Sequence, residues 1–170
     1  MSARTFLRAL GTAILVVALA ACSSSATSPT KCPVDEMLPI MNRYVEGAVF
    51  IDTQWEPALD TDLGAALNAG GVACSYGVME AEVGATIIWA PGKSTYEDRR
   101  VQWQIDGQRQ VQVAGADEAW VLEEVNETER HLWVLNLLVD NVWIGINATF
   151  LRDLSQAQPL ADATIAVVRD

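Results

Sequence analysis

The spacing of apolar positions changes character along the chain, and those changes mark the predicted elements. Across residues 33–45, Val34, Leu38, Met41 and Val45 recur at helical spacing, with Asp35 and Glu36 in the first turn where the helix dipole favours acids. Pro39 falls inside this stretch, so the pattern predicts a kinked or two-piece helix ending by Gly47. Residues 48–59 carry no clear period beyond an extended piece at 48–51. A second helix is expected over residues 62–69, capped by Asp60 or Thr61 and stopped by Gly70 and Gly71. From Val72 the period becomes that of strands, at residues 72–80 and 83–89, the second closed by Pro91 and Gly92. Ser94-Thr95-Tyr96-Glu97 has the form of a capping box and predicts a helix over about residues 95–105 that ends at Gly107. A short polar strand at 110–113 follows, then a turn at Gly115-Ala116-Asp117-Glu118 and a strand at 119–125.

The sharpest pattern lies at residues 131–139 and 142–150, two strands separated by Asp140 and Asn141 in a two-residue hairpin. In that register Val142, Ile144, Ile146, Ala148 and Phe150 share a face with Val139, Leu137, Leu135, Trp133 and His131. The opposite face carries Leu132, Val134, Asn136 and Leu138 against Trp143, Gly145, Asn147 and Thr149. Pairing of the preceding strand adds Trp120 and Leu122 to it. Residues 159–168 read as a closing helix with a proline in its first turn. Helices before and after a run of antiparallel strands predict an α+β domain over residues 32–170, with an antiparallel sheet of about five strands covered by helices.

Ahead of this domain, an uncharged apolar run at residues 9–18 follows Arg4 and Arg8 and precedes Leu19-Ala20-Ala21-Cys22. Basic, then apolar, then small is the order of a secretory signal, and the run is shorter than the ~20 residues that cross a hydrocarbon core of ~30 Å. Leu-Ala-Ala-Cys resembles the lipobox of bacterial lipoproteins, in which the cysteine thiol receives a diacylglyceryl group and becomes the first residue after cleavage. The resemblance implies a signal peptide at residues 1–21 and a palmitate-type lipid anchor on Cys22, placing the protein on the extracytoplasmic face of the cell membrane. Residues 22–31, rich in serine and threonine, are then expected to form a flexible tether. With Cys22 lipidated, Cys32 and Cys74 remain to pair outside the cytoplasm. No Cys-x-x-Cys spacing occurs, so the expected disulfide is structural.

The chain carries 11 basic and 22 acidic residues, and without Arg4 and Arg8 the remainder has a net charge of −13. Such acidity argues against nucleic acid and against adsorption to anionic headgroups, and fits a domain held by its anchor. The lipobox, Cys32 just beyond the tether, Cys74-Ser75-Tyr76, Gly115-Ala116-Asp117-Glu118-Ala119-Trp120 before a hairpin, and Leu160-Ala161 in the last helix together resemble small actinobacterial cell-envelope lipoproteins. Their domain has no assigned activity, so the resemblance implies location and rough fold and transfers no catalytic residue.

Motif chemistry is sparse. No Gly-x-Ser-x-Gly elbow, His-Glu-x-x-His, phosphate loop or dinucleotide fingerprint occurs, so no cofactor, metal ligand set or catalytic residue is expected. His131 is the only histidine and reads as a strand-end residue. Acidic clusters at Asp52, Glu56, Asp60 and Asp62 and at Glu123, Glu124, Glu127 and Glu129 read as solvated faces, and Asp60-Thr61-Asp62-Leu63-Gly64 is only a fragment of a calcium loop. Sequons at Asn126 and Asn147 carry little meaning behind a bacterial signal. Of six tryptophans, Trp120 and Trp143 lie near Asn136 and Asn147 on the mixed face, which suits a ligand or partner unless a helix covers it, and Trp55 is a second candidate for recognition. The expected function is therefore a non-enzymatic, lipid-anchored envelope protein that binds a partner protein or a small, apolar ligand through Trp120, Asn136, Trp143 and Asn147. The alternative is an envelope hydrolase or carbohydrate-active enzyme using the acidic residues.

Overall fold

The computed structural model describes residues 25–125 and 131–170, and the predicted hairpin lies in the body of its sheet. For continuity, the strands are β1 (Val49–Ile51), β2 (Val72–Val78), β3 (Val83–Pro91), β4 (Arg109–Val111), β5 (Glu118–Val125), β6 (His131–Val139) and β7 (Val142–Ala148). The helices are α1 (Val34–Tyr44), α2 (Asp62–Asn68), α3 (Lys93–Ile105) and α4 (Gln158–Arg169), with 3₁₀ turns at Met79–Ala81 and Leu154–Ala157.

β6 and β7 pair in the predicted register, Val139 with Val142, Leu137 with Ile144, Leu135 with Ile146 and Trp133 with Ala148. Asp140 makes the turn at a φ of +52°, in the left-handed region that aspartate tolerates better than bulkier residues. β3 pairs antiparallel with β7 on its other side, so two meanders, β1 to β3 and β4 to β7, join along one seam. The strand order is β1-β2-β3-β7-β6-β5-β4, and the sheet has seven strands where about five were expected. The count differs at the two edges, where the extended piece expected at 48–51 and the short strand expected at 110–113 join the sheet as β1 and β4. Each is three residues long, too short to show a period of two, and each is defined by its ladder to β2 or β5.

Both faces of the sheet are packed. On one, Met37 and Met41 of α1 and Leu160, Ala161, Ile165 and Val168 of α4 close over Ile87, Trp89, Leu135, Leu137, Ile144 and Ile146. On the other, Ala66 of α2 and Tyr96 and Trp103 of α3 meet Ile88, Ala90, Trp120, Leu138 and Trp143. Fully burying one large apolar side chain contributes roughly 1.5–3 kcal/mol, so these two layers carry most of the favourable term.

Several boundaries differ from expectation for identifiable reasons. α1 is one element with Pro39 inside it; burial of Met37 and Met41 on either side of the proline compensates for the one backbone hydrogen bond the proline lacks. α3 begins at Lys93, and the capping box at Ser94 is not used: Gly92 is the N-cap, with no side-chain cap. Its first free N–H groups are satisfied by the hairpin instead, Lys93 N donating to Asn141 Oδ1 (2.8 Å) and Gly92 N to Asn141 O (2.9 Å). Of the two caps expected for α2, Asp60 and Thr61, the structure uses Thr61, whose hydroxyl accepts from Gly64 N at 3.0 Å.

Residues 25–31, expected within the flexible tether, lie on the domain. Ala26 N donates to Asp140 Oδ2 (3.0 Å), Thr27 N to Val168 O (2.8 Å) and Ser28 Oγ to Trp89 O (3.1 Å). Backbone and hydroxyl donors hold this segment, which is why its lack of apolar period concealed it. The Cys32–Cys74 disulfide joins the chain just before α1 to β2, with Cα atoms 5.7 Å apart. The signal segment, Cys22 and the acidic residues Glu127 and Glu129 lie outside the described residues. Among the described residues no helix is long and apolar enough to cross a membrane.

Candidate functional site: the uncovered half of the sheet

The face that carries Trp120, Asn136, Trp143 and Asn147 is divided in two. Its upper half is core. A row crosses five strands as Ala73, Ile88, Gly145, Asn136 and Trp120 cross-strand neighbours, with Trp143 beside it. Trp143 is fully buried, Asn136 is 1% exposed and Trp120 8%. Asn136 Oδ1 accepts from Trp143 Nε1 (2.9 Å) while its Nδ2 donates to Gln108 Oε1 (3.2 Å), so the buried amide is spent inside the protein. Gly145 is required here because a Cβ would sit 2.6 Å from Ile88 Cγ1. α3 covers this half: the Trp103 ring lies 5.5 Å from Trp143 and 5.0 Å from Tyr96.

Charged groups seal the edge of this layer. Trp103 Nε1 donates to both Asp62 oxygens (2.8 and 3.0 Å), and Arg99 Nε reaches the same carboxylate at 2.6 Å. Trp120 Nε1 donates to Glu118 Oε1 (2.6 Å), which also faces Arg100. The expectation of Trp120, Asn136 and Trp143 as an open binding surface is thereby corrected. An apolar half-face with two indoles is buried by whichever amphipathic helix can reach it, and α3 does.

Asn147 lies in the other half. Two residues further along each strand, a second row runs Ile51, Ser75, Thr86, Asn147, Val134, Leu122 across six strands, every member half-buried. α2 and α3 do not extend over it. Ser75 Oγ and Thr86 Oγ1 share a hydrogen bond of 3.1 Å, and the Asn147 amide makes no side-chain hydrogen bond among the described residues. Beside the row, Gly77 and Gly84 oppose each other at the end of the β2–β3 hairpin. A Cβ on Gly77 would stand 2.3 Å from Val83 O, and one on Gly84 2.3 Å from Tyr76 O, so the close approach of the two strands excludes side chains there. The result is a recess of about 340 Å³ lined by Ile51, Ser75, Thr86, Thr149 and Met79, open to solvent. Ser75 and Thr86 were missed in the sequence. Their signal was there: two isolated hydroxyls in otherwise apolar strands whose alternation puts them on the mixed face.

The remaining candidates are dispersed. His131 Nδ1 meets Glu123 Oε1 at 2.6 Å on the opposite face of the sheet, and no hydroxyl or thiol bonds to the ring among the described residues. Asp62 is committed to Trp103 and Arg99, and no group of three or more His, Cys, Asp or Glu side chains is placed to hold a metal ion among the described residues. Trp55 is half-buried with its Nε1 donating to Ala73 O (3.2 Å), which caps the free edge of β2 beyond β1. Burial pushes the phenols of Tyr76 and Tyr96 well above the ordinary tyrosine range, and neither buried hydroxyl has a hydrogen-bond partner among the described residues. These are core residues, not reactive ones. No protein-family model matches the chain, and a search among curated proteins finds no match.

Proposed function

We propose that the protein is a lipid-anchored, non-enzymatic envelope protein on the extracytoplasmic face of the membrane, and that it binds a small ligand on the uncovered half of its sheet. The observation that carries this is the row Ile51, Ser75, Thr86, Asn147, Val134, Leu122: a solvated amide and two hydroxyls at the centre, apolar side chains at both ends, and a recess beside them. None of the six is charged, and the ionisable group on the recess wall, Glu82, disfavours an anion, so the ligand class is uncharged, with hydroxyl or amide groups set against an apolar body. A recess of a few hundred cubic ångströms is in the range of small-molecule sites. The Cys32–Cys74 disulfide supports an oxidising compartment, and the acidic surface is compatible with a domain held by an anchor and not by its charge.

The test is a ¹⁵N–¹H titration with octyl glucoside below its critical micelle concentration, a neutral probe with hydroxyls on an apolar chain. The expected result is saturable shifts at Ser75, Thr86, Val134 and Asn147 that disappear in Thr86→Arg. Shifts confined to other faces, or shifts unaffected by Thr86→Arg, would reject the site.

A further inference from the structure

A second cavity, on the helical side of the molecule, has a different chemistry. It is a groove of about 540 Å³ between the last turn of α1 and the start of α4, and its lining includes Arg43, Arg152, Tyr44, Phe150 and Pro159. The rings of Tyr44 and Phe150 lie against each other at a tilt of 34° with centroids 4.8 Å apart, and the Tyr44 hydroxyl is occupied by Gln156 O at 2.7 Å, which leaves the aromatic surfaces as a fixed wall.

Two of the basic groups that pair with no carboxylate among the described residues meet in this groove. In this acidic protein Lys93, Arg99 and Arg100 each pair with a carboxylate, and Arg169 donates to Gly115 O. Arg43 and Arg152 are exposed and pair with no carboxylate among the described residues, yet both line the same groove. The acids on the neighbouring turn and helix, Asp153 and Asp162, take hydrogen bonds from neutral donors and make no ion pair with either arginine among the described residues. Asp153 accepts from Ser155 Oγ and from Gln156 N, capping the 3₁₀ turn, and Asp162 accepts from Gln158 Nε2 at 2.7 Å. Two unneutralised guanidinium groups beside an aromatic wall form a combination that recognises an anion carrying an apolar body, because guanidinium binds carboxylate or phosphate oxygens in a fork and the rings take up the rest.

We infer that this groove is a binding site for a small organic anion, its carboxylate or phosphate held by Arg43 and Arg152 and its apolar part lying against Tyr44, Phe150 and Pro159. The site is independent of the uncovered sheet half, whose recess is lined by no basic residue among the described residues, and it stands or falls separately.

The experiment uses 4-phenylbutyrate as probe, with 4-phenylbutyramide as its neutral counterpart and inorganic phosphate as a bare anion, followed by calorimetry and by the side-chain Nε–H resonances of arginine. The expected result is millimolar or tighter binding of the carboxylate that shifts Arg43 and Arg152. Affinity falls at least tenfold for the amide and for Arg43→Gln or Arg152→Gln, and Arg109→Gln leaves it unchanged. Weaker binding of inorganic phosphate at the same two arginines shows that the apolar wall contributes. Because both arginines are exposed, the variants are expected to fold, and their circular dichroism verifies it. Equal binding of acid and amide, retention of affinity in both arginine variants, or shifts confined to Lys31 or Arg109 would overturn the assignment.

Discussion

Replacing Tyr96 by phenylalanine probes the core through a single oxygen. Tyr96 is completely buried against Trp103, and its hydroxyl has no partner among the described residues. Leaving a buried polar group unsatisfied costs about 1–3 kcal/mol, so removing the oxygen without changing the ring should raise stability by up to that amount at pH 8. The pH dependence gives a second reading of the same atom. Burial, helped by the Glu118 charge and opposed by Arg100, raises the folded-state pKa far above the ordinary value of 10.0. A group with a raised folded pKa supports folding fully below its unfolded pKa and loses that support as the pH climbs past it. At pH 11 the unfolded phenol is about ten parts ionised to one, so one such tyrosine costs about 1.4 kcal/mol relative to pH 8, and Tyr76 and Tyr96 together about 2.8 kcal/mol. Urea unfolding followed by tryptophan fluorescence at both pH values measures this. Tyr96→Phe should be as stable as the parent or more so at pH 8, and its loss between pH 8 and pH 11 should be smaller by about 1.4 kcal/mol. Other titrating groups are common to both proteins and cancel. A variant that loses more than ~1 kcal/mol at pH 8 and keeps the parental pH dependence would show that the hydroxyl is satisfied and the argument wrong.

Other outcomes follow from the same structure. Reducing the Cys32–Cys74 bridge, which closes a span of 42 residues, should lower stability by about 4 kcal/mol in the chain-entropy treatment, read as a shift of the urea midpoint with and without reductant. Asn136→Ala strands both Trp143 Nε1 and the Gln108 amide and should cost roughly 2–4 kcal/mol, with a red-shifted fluorescence if water enters; a change below ~0.5 kcal/mol would mean that Asn136 is not their partner. Thr61→Ala removes the cap of α2 and should cost about 1 kcal/mol, visible in hydrogen exchange of that helix before the rest of the domain opens. For the proposed anchor, mass spectrometry of the amino-terminal peptide should find a diacylglyceryl group on Cys22, and Cys22→Ser should release the protein from membranes.

The uneven legibility of the chain has a physical pattern. The β6–β7 hairpin could be read residue by residue, because an alternation of nine residues against seven with a short turn admits one register, and a slip of one would turn Trp133, Leu135 and Leu137 away from the core. α4, with its proline at the start, was equally readable, and the cap of α2 was narrowed to Asp60 or Thr61, since both depend on local backbone chemistry. The start of α3 was not. Ser94 offered a local cap, but Asn141, 48 residues away from Lys93, supplied the acceptor, and a contact at that separation leaves no mark in a short window. The candidate site divides the same way. Alternation placed Trp120, Asn136, Trp143 and Asn147 on one face, and the structure keeps them there.

By itself the amino-acid sequence determined the register of the β6–β7 hairpin, the mixed character of that face and the signal-like beginning, because each rests on neighbours in sequence. Only the tertiary structure decided that α3 lies over Trp120 and Trp143 and stops short of Thr86 and Asn147, and that Arg43 and Arg152 share a groove. An apolar stripe on a helix states that something must cover it. Which half of which sheet does so is set by connection lengths and by competition among all the faces at once, a property of the folded whole.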